Sequence, residues 1–284
     1  IGTMAFTPLA ANLVKIFQPS QVTPVTIDRG DLTGLDALSS WGEVKGTSQG
    51  ELQQTETAAE AAKVSGLPAI TVDATKLPAS LQKAPVSYAA ATQSSGTVTF
   101  NDRAPAKLRG STLTVVVGPA ETTVYGDLGG LAQSVQGAAG ADGASGSGDA
   151  DSSGGDRQSA DRARQALGSA GPILAVAEMK APQVSSTGAS VADIKSALLA
   201  QPGLSPSVRA AISSLDDPRG NLPIPVPAGY VNSHSVRVQG VTATAFGDNT
   251  GLGSAVLWIK NGRVYAVAGT VTEDQALAVA NSLR

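Results

Sequence analysis

Residues 46–50, Gly46-Thr47-Ser48-Gln49-Gly50, match the G-x-S-x-G spacing of a serine nucleophile elbow. In that chemistry Ser48 would sit on a sharp strand-to-helix turn. His234 would take its proton, and Asp216 or Asp217 would orient the imidazole. The chain order Ser, Asp, His is the order that such hydrolases use. The flanking residues argue against it. An elbow needs a buried apolar strand before the serine, and Leu38 to Lys45 is too polar. A plain loop is the expected state of Ser48. A lone histidine beside Ser233 and Asn232 reads as a strand-edge or surface residue.

Asp149, Asp151 and Ser153, with Gly154 next, fall at positions 1, 3, 5 and 6 of a calcium-loop pattern. The last position demands a bidentate Glu, yet Ala160 stands there and Asp161 comes one residue late. No metal site is expected from it. The remaining candidates are aromatic. Trp258 and Tyr265 flank Asn261-Gly262, the strongest short-range hairpin signal, because a type I′ turn needs φ > 0 at both central residues. That turn pairs Lys260 with Arg263, Ile259 with Val264, and Trp258 with Tyr265. Trp258 and Tyr265 then share one face, as lining for a ligand cavity or as ordinary core packing. The opposite face, with Leu257, Ile259 and Val264, is apolar too, so both faces need cover.

The elements around these residues are readable. Thr57 and Glu60 have capping-box spacing before a helix that stops at Gly66. Residues 86–100 and 111–125 read as strands, most clearly Thr112 to Val117, and so does Ile173 to Ala177. Ser190 caps a helix with Val191, Ile194 and Leu198 on one face. Ser205 caps another, with Pro206 in its first turn and Val208, Ile212 and Leu215 on one face. These two helices are a candidate lid. Residues 221–227, with alternating prolines, must be extended and cannot form a central strand. Thr272 and Gln275 open a terminal helix carrying Ala276, Val279, Ala280 and Leu283.

Composition narrows the function. The 284 residues include no Cys and one His. Disulfides, zinc-thiolate sites, iron–sulfur clusters and thiol catalysis are therefore excluded, as is a multi-His metal site within one chain. Lys plus Arg is 20 against 23 Asp plus Glu, a net charge of −3. No basic excess serves a phosphate backbone, so no nucleic-acid partner is expected. No cofactor is expected either. Residues 137–157 hold only Gly, Ala, Ser and Asp with one Arg. Such a run buries too little to offset its ordering entropy and reads as a flexible insertion. Residues 1–17 are apolar with a single charge, Lys15. They read as the end of a membrane span or as a packed amphipathic helix.

The stretches LPIPVP, HSVRVQGVTATAFGD and GSAVLWIKNGRVYAVAGTVTEDQALAVANSL resemble the outer part of bacterial membrane-anchored proteins similar to anti-sigma factors. Trp258, Tyr265, Ser282 and Leu283 carry that likeness. Upstream, Glu60-Ala61, Gly66 and Leu77-Pro78 also match. The resemblance covers roughly residues 40–284 and leaves out the insertion. It implies a fold similar to outer-membrane lipoprotein carriers. That is an α+β domain whose strongly curved antiparallel sheet, a half-open barrel, carries short helices on its concave face. It also implies a cell-membrane location on the extracytoplasmic face, with an anchor preceding residue 1.

The expected organisation is a membrane-proximal segment and hinge (1–24), then the first part of the domain (25–136). The insertion (137–157) and the second part (158–284) follow. The expected function is non-enzymatic sensing or regulation through a ligand or a protein partner, with Trp258 and Tyr265 as ligand-binding candidates. A lipid or lipoprotein carrier with an apolar cavity is the alternative, and a serine hydrolase the third.

Overall fold

The structure, a computed structural model, describes residues 19–27, 40–48, 50–127, 171–214, 220–227, 231–248 and 253–284. The 1–17 segment, the 137–157 insertion and the calcium-type positions lie outside the described residues. The class is α+β with mostly antiparallel strands.

The strands are β1 (Gln21–Ile27), β2 (Gly42–Ser48), β3 (Leu52–Thr55), β4 (Val86–Ala91), β5 (Ser94–Phe100), β6 (Thr112–Val117) and β7 (Ala120–Tyr125). They continue with β8 (Leu174–Lys180), β9 (Gln183–Thr187), β10 (Asn221–Pro227), β11 (Val231–Val238), β12 (Val241–Asp248), β13 (Ser254–Lys260) and β14 (Arg263–Gly269). The α-helices are α1 (Ala58–Ser65), α2 (Val191–Leu199), α3 (Pro206–Ser213) and α4 (Glu273–Ser282).

An antiparallel sheet of eight runs β11-β12-β13-β14-β8-β7-β4-β3, and a second of four runs β2-β5-β6-β9. Four chain segments pass from one sheet to the other: β2 into β3, β4 into β5, β6 into β7, and β8 into β9. Their neighbour order is the same in both sheets. Two of the crossings, β6 into β7 and β8 into β9, fall where the ladder cannot continue. Pro119 and Pro182 lack the N–H that a ladder needs. Gly118 lets two backbones meet, because a Cβ there would collide with the Lys180 carbonyl. The crossing is stitched by the Lys180 amide donating to the Pro119 carbonyl at 3.0 Å.

Residues 21–24, expected to be part of a hinge, instead belong to β1, which pairs in parallel with β10. The prolines at 223, 225 and 227 leave the interior donors to Leu222, Ile224 and Val226, so this strand suits a two-stranded ribbon and no sheet centre. Val22 and Leu222 of the ribbon pack on Ile259 and Val264. The second apolar face of the predicted hairpin is thus covered by chain from two distant parts of the sequence.

The first face is covered by α4. Ala276, Val279 and Ala280 pack with Trp258, Val256, Val267, Val238 and Leu81 in the main core. Full burial of a side chain the size of Val279 contributes on the order of 1.5–3 kcal/mol. The capping box expected at Thr272 and Gln275 is made in both directions. The one at Ser190 is completed by Asp193. The smaller core joins Ile194 of α2 to Trp41, Phe100 and Leu108 on the four-stranded sheet. Helices α2 and α3 therefore do not cover Trp258; their apolar faces match the four-stranded sheet and β1 instead.

Candidate functional site

The hairpin register is the one that Asn261-Gly262 dictates: Lys260 opposite Arg263, Ile259 opposite Val264, Trp258 opposite Tyr265. Asn261 and Gly262 have φ of 53° and 73°. Trp258 is fully buried and stacks on Tyr265, ring centroids 5.3 Å apart and planes 14° from parallel. Its indole Nε1–H has no acceptor. The two aromatic candidates thus differ in placement. Trp258 is core, packed under α4, whereas Tyr265 reaches the wall of a cavity.

Registers extend this row across the sheet. Tyr265 lies opposite Glu178 on β8, and Glu178 opposite Glu121 on β7. Cross-strand partners share a face. One row therefore reads Trp258, Tyr265, Glu178, Glu121. The adjacent row, two residues along each strand, reads Lys260, Arg263, Lys180.

Both carboxylates are buried, each only 4% exposed. Glu178 Oε1 accepts from Arg263 Nη1 at 2.6 Å, a diagonal contact between the two rows. Glu121 Oε1 accepts from the Ile70 amide at 2.7 Å, and its Oε2 is buried without a hydrogen bond. Burial pushes the Glu121 carboxyl above its usual range, and the charge of Glu178 adds to this. The Ile70 amide, Ser65 and Arg263 pull the other way. Burial also pushes Glu178 up, and Arg263 only partly reverses it. Tyr265 is raised by burial and by the Glu178 charge.

The loop after α1 and the end of the chain roof this row. Ser65, the last residue of α1, and Ile70 approach Glu121. Thr71 and Arg284 exchange two backbone hydrogen bonds at 3.2 Å. Gln239, at φ 49° in the β11–β12 turn, ties the parts together. Its Nε2 donates to the Ala280 and Leu283 carbonyls at 3.1 and 2.8 Å, and its Oε1 accepts from Lys260 Nζ at 3.0 Å. Between roof and hairpin lies a cavity of about 220 Å³. Its polar walls are Glu178, Gln239, Lys260, Arg263, Tyr265 and Arg284. A second hollow of about 540 Å³ shares Asn261 and Arg263 and adds Lys180.

Ser48 and His234, the two hydrolase candidates among the described residues, stand on different sheets. Ser48 closes β2, opposite Ser95 at the edge of the four-stranded sheet, and the chain after it goes on to β3 rather than into a helix. His234 lies on β11, at the far edge of the other sheet, and its Nε2 is 3.0 Å from Glu273 Oε1. Asp216 and Asp217 are outside the described residues. Among the described residues no cluster of three or more His, Asp or Glu could hold a metal ion. No described helix is long and apolar enough to cross a membrane.

Sequence reasoning missed Glu178, Glu121, Arg263, Lys260, Lys180 and Gln239 as site residues. Some signal was present: Glu178 interrupts the apolar run Leu174 to Met179, and Lys260 and Arg263 put like charges on both sides of one turn. Compared with family models, curated proteins and solved structures, the chain finds no match in any of the three.

Proposed function

We propose that this chain is a non-enzymatic binding domain, the extracytoplasmic sensor or regulatory part of a membrane-anchored protein similar to anti-sigma factors. In this reading the shared strand order of the two sheets is that of a half-open barrel. The carrying observation is how the space beneath α4 is used. Trp258, Leu81, Val256, Val267 and Val279 pack there, each with a relative exposure of at most 1%. A lipid carrier of this architecture would keep an apolar cavity there, whereas a regulator fills it with its own side chains. The polar hollow beside the hairpin, rather than the core, is then the place where a ligand acts. The location outside the cytoplasm and the anchor before residue 1 rest on the resemblance carried by Trp258, Tyr265, Ser282 and Leu283.

Two measurements test this. Native mass spectrometry of the purified chain, followed by organic extraction, is expected to give protein free of bound lipid; a stoichiometric lipid would move the assignment to the carrier. Fusion of the full-length protein to a reporter active only outside the cytoplasm is expected to give signal. A silent reporter with a well-expressed fusion would reject the extracytoplasmic placement.

A further inference from the structure

The geometry points to the tip of the β13–β14 hairpin as a binding site for a phosphate group. This specifies the ligand class of the hollow assigned above, and so rests on the reading of the chain as a binding domain.

Three cations stand side by side across three strands: Lys260 on β13, Arg263 on β14 and Lys180 on β8 are successive register partners. Like charges directly opposite one another destabilise a sheet. Such a row in a chain of net charge −3 is therefore a cost that folding alone does not explain. Arg284 adds a fourth cation to the same rim.

The acids nearby do not balance them. Glu178 lies beneath the row and is bonded to Arg263. Asp73 feels Arg284 but is half-buried and takes its hydrogen bonds from Thr75. Glu121, the third acid, feels Arg263 but bonds the Ile70 amide. Lys260 has a neutral partner, Gln239. Among the described residues, Lys180 and Arg284 have no ion pair. Four cations against three acids leave a surplus of one positive charge around hollows of about 220 and 540 Å³ that share Arg263 and Asn261.

A phosphate group matches this set. It carries nearly two charges and oxygens that accept in several directions. Arg263 is already oriented by Glu178, so part of the ordering cost of binding is met before the ligand arrives. Lys260 is held by Gln239 in the same way. Asn261 stands at the same rim.

The phosphate could belong to a small soluble molecule or to a lipid headgroup, and the test separates them. The whole chain is titrated at low ionic strength with glycerol 3-phosphate and with inorganic phosphate, against sodium chloride at matched ionic strength. In parallel it is sedimented with phosphatidylglycerol and phosphatidylcholine vesicles. Saturable one-to-one binding with Kd below about 1 mM, absent with chloride, is expected. Lys180 and Arg284 are exposed, so the double variant Lys180→Gln/Arg284→Gln is expected to fold with an unfolding midpoint no lower than that of the wild type and to bind about tenfold more weakly. Vesicle binding confined to phosphatidylglycerol and lost in the variant would also support the site, with a lipid as the source. No saturable binding in either arm, or binding that the variant leaves intact, overturns the proposal. That failure would leave the lipid-extraction and reporter results standing, so the two readings fail separately.

Discussion

Glu121 and Glu178 face each other across β7 and β8, both buried, yet Arg263 bonds Glu178 while Glu121 takes the Ile70 amide. Two carboxylates side by side in the sheet interior cost stability when both are ionised. Their presence beneath a polar hollow, rather than in the fully apolar part of the core, sets the character of this end of the molecule.

The pH dependence follows from the direction of the shifts. Burial raises both carboxyls above 4.5, their ordinary value, so the folded chain holds these protons to higher pH than the unfolded chain. The stability linked to them is complete below that value and falls as pH rises through the folded-state values. Glu121→Gln removes the less compensated charge and keeps an oxygen for the Ile70 amide. Relative to the wild type it is expected to gain about 1 kcal/mol near neutral pH, with the gap closing at acid pH. Urea midpoints measured against pH test this; parallel profiles would contradict it.

Arg263 compensates Glu178 at 2.6 Å. Truncating it leaves a buried carboxylate alone, so Arg263→Ala is expected to cost about 3 kcal/mol. Arg263→Ala/Glu178→Gln should recover about half of that, because the stranded charge is gone. Equal losses in the single and double variants, read from chemical denaturation, would show that packing rather than charge dominates here.

The Lys260, Arg263, Lys180 row predicts a stabilising substitution. Lys180→Gln removes one like-charge contact and is expected to raise stability by about 0.5 kcal/mol at low ionic strength. The gain should fade at about 1 M salt, where screening shortens the reach of charge to about 3 Å. A gain independent of salt would assign the effect to something other than repulsion.

Gln239 stands at φ 49° and its side chain makes three hydrogen bonds, to the Ala280 and Leu283 carbonyls and from Lys260. Gln239→Ala keeps the unfavourable backbone and loses the bonds, for a cost of about 2 kcal/mol. Gln239→Gly loses the same bonds but relaxes the backbone, so it is expected to cost about 1 kcal/mol less than the alanine variant. Calorimetric unfolding of the two variants decides; an alanine variant as stable as the wild type would remove Gln239 as the link between hairpin and helix.

Much of the local architecture was legible in the residues themselves. Asn261-Gly262 sets the hairpin register because few residues accept φ > 0. Thr57, Ser190, Ser205 and Thr272 start their helices as read, since a side-chain oxygen must satisfy a free amide within three residues. The alternating prolines of 221–227 exclude a central strand for an equally local reason.

The candidate site was legible only in part, because its chemistry depends on distant neighbours. Tyr265 was identified, but nothing within a few residues of Glu121 says that Glu178 lies opposite it, or that Ile70 supplies its amide from a loop 51 positions away. The parallel pairing of β1 with β10 joins residues 200 positions apart, and it converts an expected hinge into cover for Ile259 and Val264. Turns and caps answer to bond rotation and the nearest donor, so the sequence alone determined them. Which strands became neighbours, and therefore which charges were buried together, was decided only when the two sheets, the ribbon and α4 packed around their separate cores.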